Sequence, residues 1–246
     1  MVKASAYSPL AAKGRVILIS GANRGIGRAI AERLYREGYT LSLGARKPAS
    51  LKPVMAGMSA SRVLAHAYDA MKSGAADAWV AATLKRFGRI DGLVNNAGVG
   101  TNFTVEDADE SVLDEMWTVN TKGPLRLIRA AFPLLKKCGS GRVVNIVSLS
   151  GKRVYGHALT GYAMSKFATM ALTHAVRYSG WDHGIRSTAI CPGFVATDMT
   201  ADVSAIPQEK MIQPGAIAAL VATVLALPNT SSVTEIPVNC RLEHSY

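Results

Sequence analysis

Short, almost uninterrupted apolar runs alternate along the chain with longer stretches whose apolar residues recur at helical spacing. Arg15 to Ser20, Thr40 to Ala45, Arg62 to Tyr68, Asp91 running into a turn at Gly98, Arg142 to Val147, Ile185 to Cys191 and Val233 to Val238 read as strands. Their β-branched, continuously apolar composition is that of strands covered on both faces. Between them, Arg28 to Glu37, Ser73 to Phe87, Asp109 to Lys137, the stretch from Tyr162 to about Ser179, and residues 214–226 read as helices. Within 109–137 a break is expected at Gly123-Pro124, because proline has no N–H and removes one helical hydrogen bond. Strands alternating with helices of ten or more residues predict an α/β fold, a doubly wound parallel sheet of about seven strands with helices on both faces. No linker, repeat or second apolar core interrupts the pattern, so residues 14–246 read as one domain behind a flexible tail, 1–13.

Composition narrows the partners. Apolar residues make up 49% of 246. The longest apolar run, Ala216 to Leu227, lies between Pro214 and Pro228 and is too short to span a bilayer. The first fourteen residues lack the apolar core of a signal peptide, and no membrane association is expected. The net charge is +11, but the basic residues are dispersed and several pair at helical spacing, as in Arg28–Glu32 and Arg33–Glu37. That is the pattern of a solvated surface, not of a nucleic-acid site. Cys138, Cys191 and Cys240 form no C-x-x-C and suit a reducing, cytoplasmic setting. The five histidines have no ligand spacing, so no metal is expected.

Candidate chemistry gathers at one end of the predicted sheet. Gly21-Ala-Asn-Arg-Gly25-Ile-Gly27 joins the first strand to the first helix, a turn that presents backbone N–H groups to a phosphate. Arg46, Asp69, Asn96, Ser148 and Pro192-Gly193 follow the second to sixth strands. Ligands of open α/β sheets bind at those carboxyl ends. Tyr162 and Lys166, at i and i+4, bring a phenol and an ammonium to one helix face. The cation is expected to lower the phenol's pKa toward a range useful for proton transfer. A Ser/Lys hydrolase built on Ser148 is disfavoured, because no G-x-S-x-G is present.

With these motifs in order, residues 14 to about 240 resemble the short-chain dehydrogenase/reductase family. The glycine motif is Ser20 to Gly27, with Ser in the family's first Thr position; the Asn-Asn-Ala-Gly turn is Asn95 to Gly98; the Pro-Gly element is Pro192-Gly193. The resemblance implies a Rossmann fold and hydride transfer between a nicotinamide and a carbonyl or alcohol carbon. It implies an active site of Asn120, Ser148, Tyr162 and Lys166. Tyr162 would be the acid/base, Lys166 would tune it and hold the cofactor ribose, and Ser148 would bind the substrate oxygen. The break at Pro124 has two readings: a freed Asn120 carbonyl that holds a relay water, or a packing kink. The cofactor would lie against Gly21, Asn23, Arg24, Gly25, Ile26, Gly27, Arg46, Asp69, Asn96, Ala97, Gly98, Pro192, Gly193, Val195 and Thr197 as well as Tyr162 and Lys166. Asn96 would face the ribose, and Asn95 would tie neighbouring strands.

An acidic residue after the second strand would repel a 2′-phosphate. Ala45 and Arg46 stand there instead, and Arg24 lies on the same side, so NADP (NADPH) is the expected cofactor. Val99 to Phe103, Phe194, Met199 and Met211 read as walls for a small apolar or aromatic substrate. An NAD-dependent alcohol dehydrogenase on the same fold and a non-catalytic dinucleotide-binding protein are the alternatives. The apolar excess on 109–137 and 160–179, helices this family pairs about a two-fold axis, implies a homodimer or homotetramer. The segment after Thr197 is short, and the stretch after Val238 lacks the family's frequent glycines.

Overall fold

The computed structural model describes residues 8–242. Seven strands form one parallel sheet: β1 (Val16–Ser20), β2 (Thr40–Ala45), β3 (Val63–Ala67), β4 (Gly92–Asn95), β5 (Arg142–Ile146), β6 (Arg186–Pro192) and β7 (Glu235–Val238). Their order is β3-β2-β1-β4-β5-β6-β7, as the alternating pattern predicts for a doubly wound sheet. The helices are α1 (Gly25–Glu37), α2 (Lys52–Met55), α3 (Ala75–Phe87), α4 (Ser111–Trp117), α5 (Gly123–Cys138), α6 (Thr160–Gly180) and α7 (Pro214–Ala226).

Alternation within the central strands divides the core in two. Ile17 and Ile19 of β1 point to one face, where Ile30 and Leu34 of α1 meet Ile217, Val221 and Leu225 of α7. Leu18 points to the other, against Trp79 of α3, Leu127 and Leu135 of α5 and Val176 of α6. Burying each such side chain is worth about 1.5–3 kcal/mol, so both helix layers are held firmly to the sheet. Asn95 and Asn145 are register partners on β4 and β5, and Asn95 Nδ2 donates to Asn145 Oδ1 at 2.7 Å. This is the strand-tying role expected of Asn95.

Two boundaries differ from the sequence reading. The stretch 109–137 is interrupted earlier than Gly123-Pro124: Thr118–Lys122 is a π turn, in which the Gly123 N–H donates back to the Thr118 carbonyl. Pro124 then sits in the first turn of α5, directly after the π turn. Of the tail 1–13, residues 1–7 lie outside the described residues; farther on, the Leu10 N–H donates to the Ala226 carbonyl at the end of α7 (2.7 Å). No helix among the described residues is long and apolar enough to cross a membrane.

Candidate active site

β1 and β4 are neighbours, yet β1 continues to β2 on one side and β4 to β5 on the other. The crevice at that switch point is where such sheets take ligands. A cavity of about 730 Å³ opens there, lined by the glycine turn, Arg46, Asp69, the 96–99 turn, Ser148, Tyr162, Lys166 and Gly193.

The glycine turn fits a dinucleotide phosphate. Gly21 has φ +66°, a left-handed conformation that side chains resist. A Cβ on Gly27 would fall 2.2 Å from the Gly21 carbonyl oxygen and 2.5 Å from Asn96 Nδ2, so only glycine lets the turn close over the start of α1. Ser20 Oγ accepts the N–H groups of Asn96 and Ala97, each at 3.0 Å. Asn96 Nδ2 donates to the Ser20 and Gly21 carbonyls at 3.0 and 3.1 Å. The Asn96 amide nitrogen holds the glycine turn, and the residue lines the cleft where a ribose is expected. Asn23, Ile26, Ala97, Gly98, Pro192, Val195 and Thr197 line the same cleft.

The two arginines expected at a 2′-phosphate are both exposed and both line the cleft. Arg46 stands just past β2. Arg24 Nη1 pairs with Asp198 Oδ2 at 2.9 Å across the cleft mouth, a partner 174 positions away. Both side chains of that pair are mostly in water, so the contact contributes little on its own.

On the opposite wall, α6 presents Tyr162 and Lys166. Lys166 is buried; its Nζ donates to the Ile146 carbonyl at 3.0 Å and lies 5.5 Å from the centre of the Tyr162 ring. Burial pushes the Lys166 ammonium down to about 8. Burial also raises the Tyr162 phenol, and the neighbouring Ser148 hydroxyl pulls it back only in part. The expected lowering by Lys166 is therefore corrected: loss of phenolate hydration raises the phenol, and what opposes it is the Ser148 hydrogen bond. The phenol stays protonated near neutrality, which suits a proton donor. Ser148 Oγ accepts the Ser150 N–H at 3.1 Å and lies 3.4 Å from the Pro192 carbonyl oxygen.

Asn120 lies within the π turn and is buried. Its side chain clasps the backbone of Val99, accepting from the Val99 N–H at 2.9 Å and donating to its carbonyl at 2.8 Å. Its carbonyl does lack a helical donor opposite Pro124, but it is not left open: Thr169 Oγ1 reaches it at 2.8 Å and the Ser165 carbonyl at the same distance. Thr169 has one hydroxyl hydrogen for both.

Of the expected apolar walls, Val99 and Met199 line the cleft, whereas Phe103 and Met211 are buried in the packing behind it. Sequence reasoning missed Tyr68, Met71, Glu115, Val119 and Thr200 as lining residues. Tyr68 is the one with a readable signal, standing directly before Asp69 at the end of β3.

The chain is similar to proteins already described. Residues 15–207 match the family model described as short chain dehydrogenase. Agropine synthesis reductase of Rhizobium rhizogenes is 45% identical over 229 residues, which cover 93% of this chain and 53% of that protein. The chain thus spans about half the length of that curated relative. An alcohol dehydrogenase from the archaeon Thermococcus sibiricus, solved with 5-hydroxy-NADP, superposes with a TM-score of 0.84 at 32% identity, covering 94% of this chain and 99% of the other. A metagenomic short-chain oxidoreductase in complex with NADP gives 0.81 at 30% identity, over 95% and 100%.

Proposed function

The chain belongs to the short chain dehydrogenase family, and from that premise we propose that it is an NADP(H)-dependent carbonyl reductase acting on a small substrate with an apolar or aromatic part. The observation that carries this reading is the convergence of Ser148, Tyr162 and Lys166 on the cleft that holds the glycine turn. A bound nicotinamide dinucleotide would supply the hydride. Ser148 donates to the substrate oxygen as charge develops on it. Tyr162, kept protonated by burial, gives its proton to the nascent alkoxide. Lys166, still a cation at neutral pH, holds the ribose and stabilises the negative charge that develops on the phenol as its proton leaves. The shared Thr169 hydrogen bond leaves the Asn120 carbonyl a second lone pair for a water that returns a proton toward Lys166. Pro124→Ala tests that part: normal turnover with the helical bond restored removes the relay.

Arg46 and Arg24 take the 2′-phosphate, with Arg24 leaving Asp198 to do so. We place the protein in the cytoplasm, with its three cysteines reduced. Leu125, Met164, Phe167, Tyr178 and Trp181 expose large apolar surface on and beside α5 and α6, and we assign that face to a homo-oligomer. Sedimentation at micromolar concentration checks it, a 26 kDa species alone counting against it.

The decisive experiment is loss of reduced-nicotinamide absorbance with a panel of aldehydes, ketones and quinones. Turnover with NADPH that disappears in Tyr162→Phe supports the assignment. A protein that binds NADPH yet reduces none of them is a binding protein on the same scaffold.

A further inference from the structure

At its mouth the cleft is bordered by a strap of chain, residues 198–210, that holds the glycine turn through a carboxylate hydride transfer leaves without a role. The two ends of the strap are pinned together. Val195 and Ile212 form a bridge, the Ala196 N–H donates to the Ile212 carbonyl at 2.9 Å, and the Ile212 N–H donates to the Phe194 carbonyl at 3.0 Å. Between those ends none of the strap's residues is buried. Among the described residues its hydrogen bonds stay within 195–213, as in Gln208 Nε2 to the Thr200 carbonyl at 2.8 Å, with one exception. Asp198 Oδ2 accepts from Arg24 Nη1 at 2.9 Å.

Backbone on both sides sets that contact. Arg24 stands in extended conformation directly ahead of α1. Asp198 opens a single 3-10 turn, in which Thr200 Oγ1 donates to the Val195 and Thr197 carbonyls and accepts the Thr197 N–H at 3.2 Å. A Cβ on Gly25 would meet Thr197 Cγ2 at 3.2 Å, so the glycine turn and the root of the strap already touch. Three cations line the end of the cleft beside β2 and the glycine turn: Arg24, Arg46 and Lys47. Among the described residues only Arg24 has a carboxylate partner, and the strap supplies it. An exposed ion pair shifts an equilibrium by about fivefold at most. A charge-assisted bond from arginine to a phosphate is worth roughly 10- to 100-fold. A phosphate arriving here therefore takes Arg24, and Asp198 is repelled from the dianion that replaces it.

Resting on the NADP(H) reading, we infer that Asp198 is a specificity-determining residue: it occupies the arginine meant for the 2′-phosphate until the cofactor displaces it, and its displacement unties the strap. The competition lowers affinity for a phosphorylated cofactor and leaves an unphosphorylated one untouched. It also makes the strap respond to the 2′-phosphate alone. Met199 lines the cleft and is carried on the strap, so the wall offered to a substrate changes with the same event.

The test uses 2′,5′-ADP and 5′-ADP, halves of the two cofactors without the nicotinamide, so it needs no turnover. In a calorimetric titration the unmodified full chain should bind 2′,5′-ADP about tenfold or more tightly than 5′-ADP. Asp198→Asn should tighten 2′,5′-ADP by about two- to fivefold, less so as salt rises, and leave 5′-ADP unchanged. In an Arg24→Gln background that gain should vanish. A gain that persists there means Asp198 acts on the phosphate directly, and overturns the inference. The strap is read by hydrogen exchange. Adding 2′,5′-ADP should speed exchange in 198–210, 5′-ADP should not, and Asp198→Asn should show the faster exchange with no ligand present. Unchanged 2′,5′-ADP affinity in Asp198→Asn, or strap exchange indifferent to the 2′-phosphate, overturns the inference and leaves the NADP(H) reading standing. Equal binding of the two nucleotides by the unmodified chain removes the 2′-phosphate assignment itself, and the inference with it.

Discussion

The two ends of the sheet handle polar groups in opposite ways. At the carboxyl end Ser148, Tyr162, Arg24 and Arg46 face a cleft. At the amino end Arg15, Arg142 and Arg186 stand at the starts of β1, β5 and β6, and all three are buried. Their guanidiniums meet backbone carbonyls from distant segments. Arg15 donates to Leu225, Arg142 to Gly184 and Leu227, and Arg186 to Trp181 and Asn229. In a doubly wound fold the helices run antiparallel to the strands, so their carbonyl ends gather here with their partial negative charge. The arginines close those helix ends without needing carboxylates. Burial, and then the neighbouring Arg15 and Arg186, press the Arg142 pKa down to about 10, which still leaves a cation at neutral pH. One end of the sheet is therefore closed by arginine–carbonyl hydrogen bonds, with Arg15 Nε and Arg142 Nε still unpartnered; the other opens onto the cleft.

That division is open to attack from both sides. The largest expected effect is at the open end: Tyr162→Phe should lower kcat by at least about 10²–10⁴-fold. NADPH affinity, by fluorescence titration, should stay within a few-fold and the melting temperature should hold. At the closed end Arg142→Met should leave several carbonyls unmatched and cost on the order of 3 kcal/mol, read by chemical denaturation. Whatever folded fraction remains should keep its specific activity. A fully stable Arg142→Met, or a Tyr162→Phe that unfolds, would erase the distinction.

Smaller effects sharpen the comparison within the open end. NADPH should be preferred over NADH by about tenfold or more in kcat/KM, and replacing Ala45-Arg46 with Asp-Ile should reverse it. Equal specificity constants in the unmodified protein would remove the 2′-phosphate assignment. The mildest effect is on pH. The Lys166 pKa is lowered to about 8, so its ammonium is present below that value and lost as pH rises through it. Reduction at saturating NADPH should begin to fall below pH 8, reach about half its plateau near pH 8 and decline further above it, and a level profile to pH 10 would separate Lys166 from the proton step.

The sequence discloses whatever is written locally. Apolar runs mark all seven strands, and the glycine turn and the Tyr162–Lys166 pair sit at fixed short spacings. What depends on tertiary packing is not disclosed. The Arg24–Asp198 pair joins segments 174 positions apart. The rise of the Tyr162 pKa follows from burial that only the assembled cleft creates. The tie from the Asn96 amide nitrogen to two carbonyls of the glycine turn exists only once the turn is in place. The buried arginines have backbone partners, which leave no trace in side-chain identity.

The π turn at Thr118–Lys122 has a consequence for how such a site changes over generations. A π turn holds one residue more than an α-helix following the same path. Deleting one residue there other than Asn120 would let α4 and α5 run on as regular helix and keep most of the packing on both sides. It would also rotate Asn120 by about 100° about the helix axis, away from Val99 and Thr169. Chain length at this point, more than residue identity, holds the buried Asn120 against Val99 and Thr169. A one-codon gap in a descendant's gene would disconnect it in a single step, with no substitution needed anywhere else.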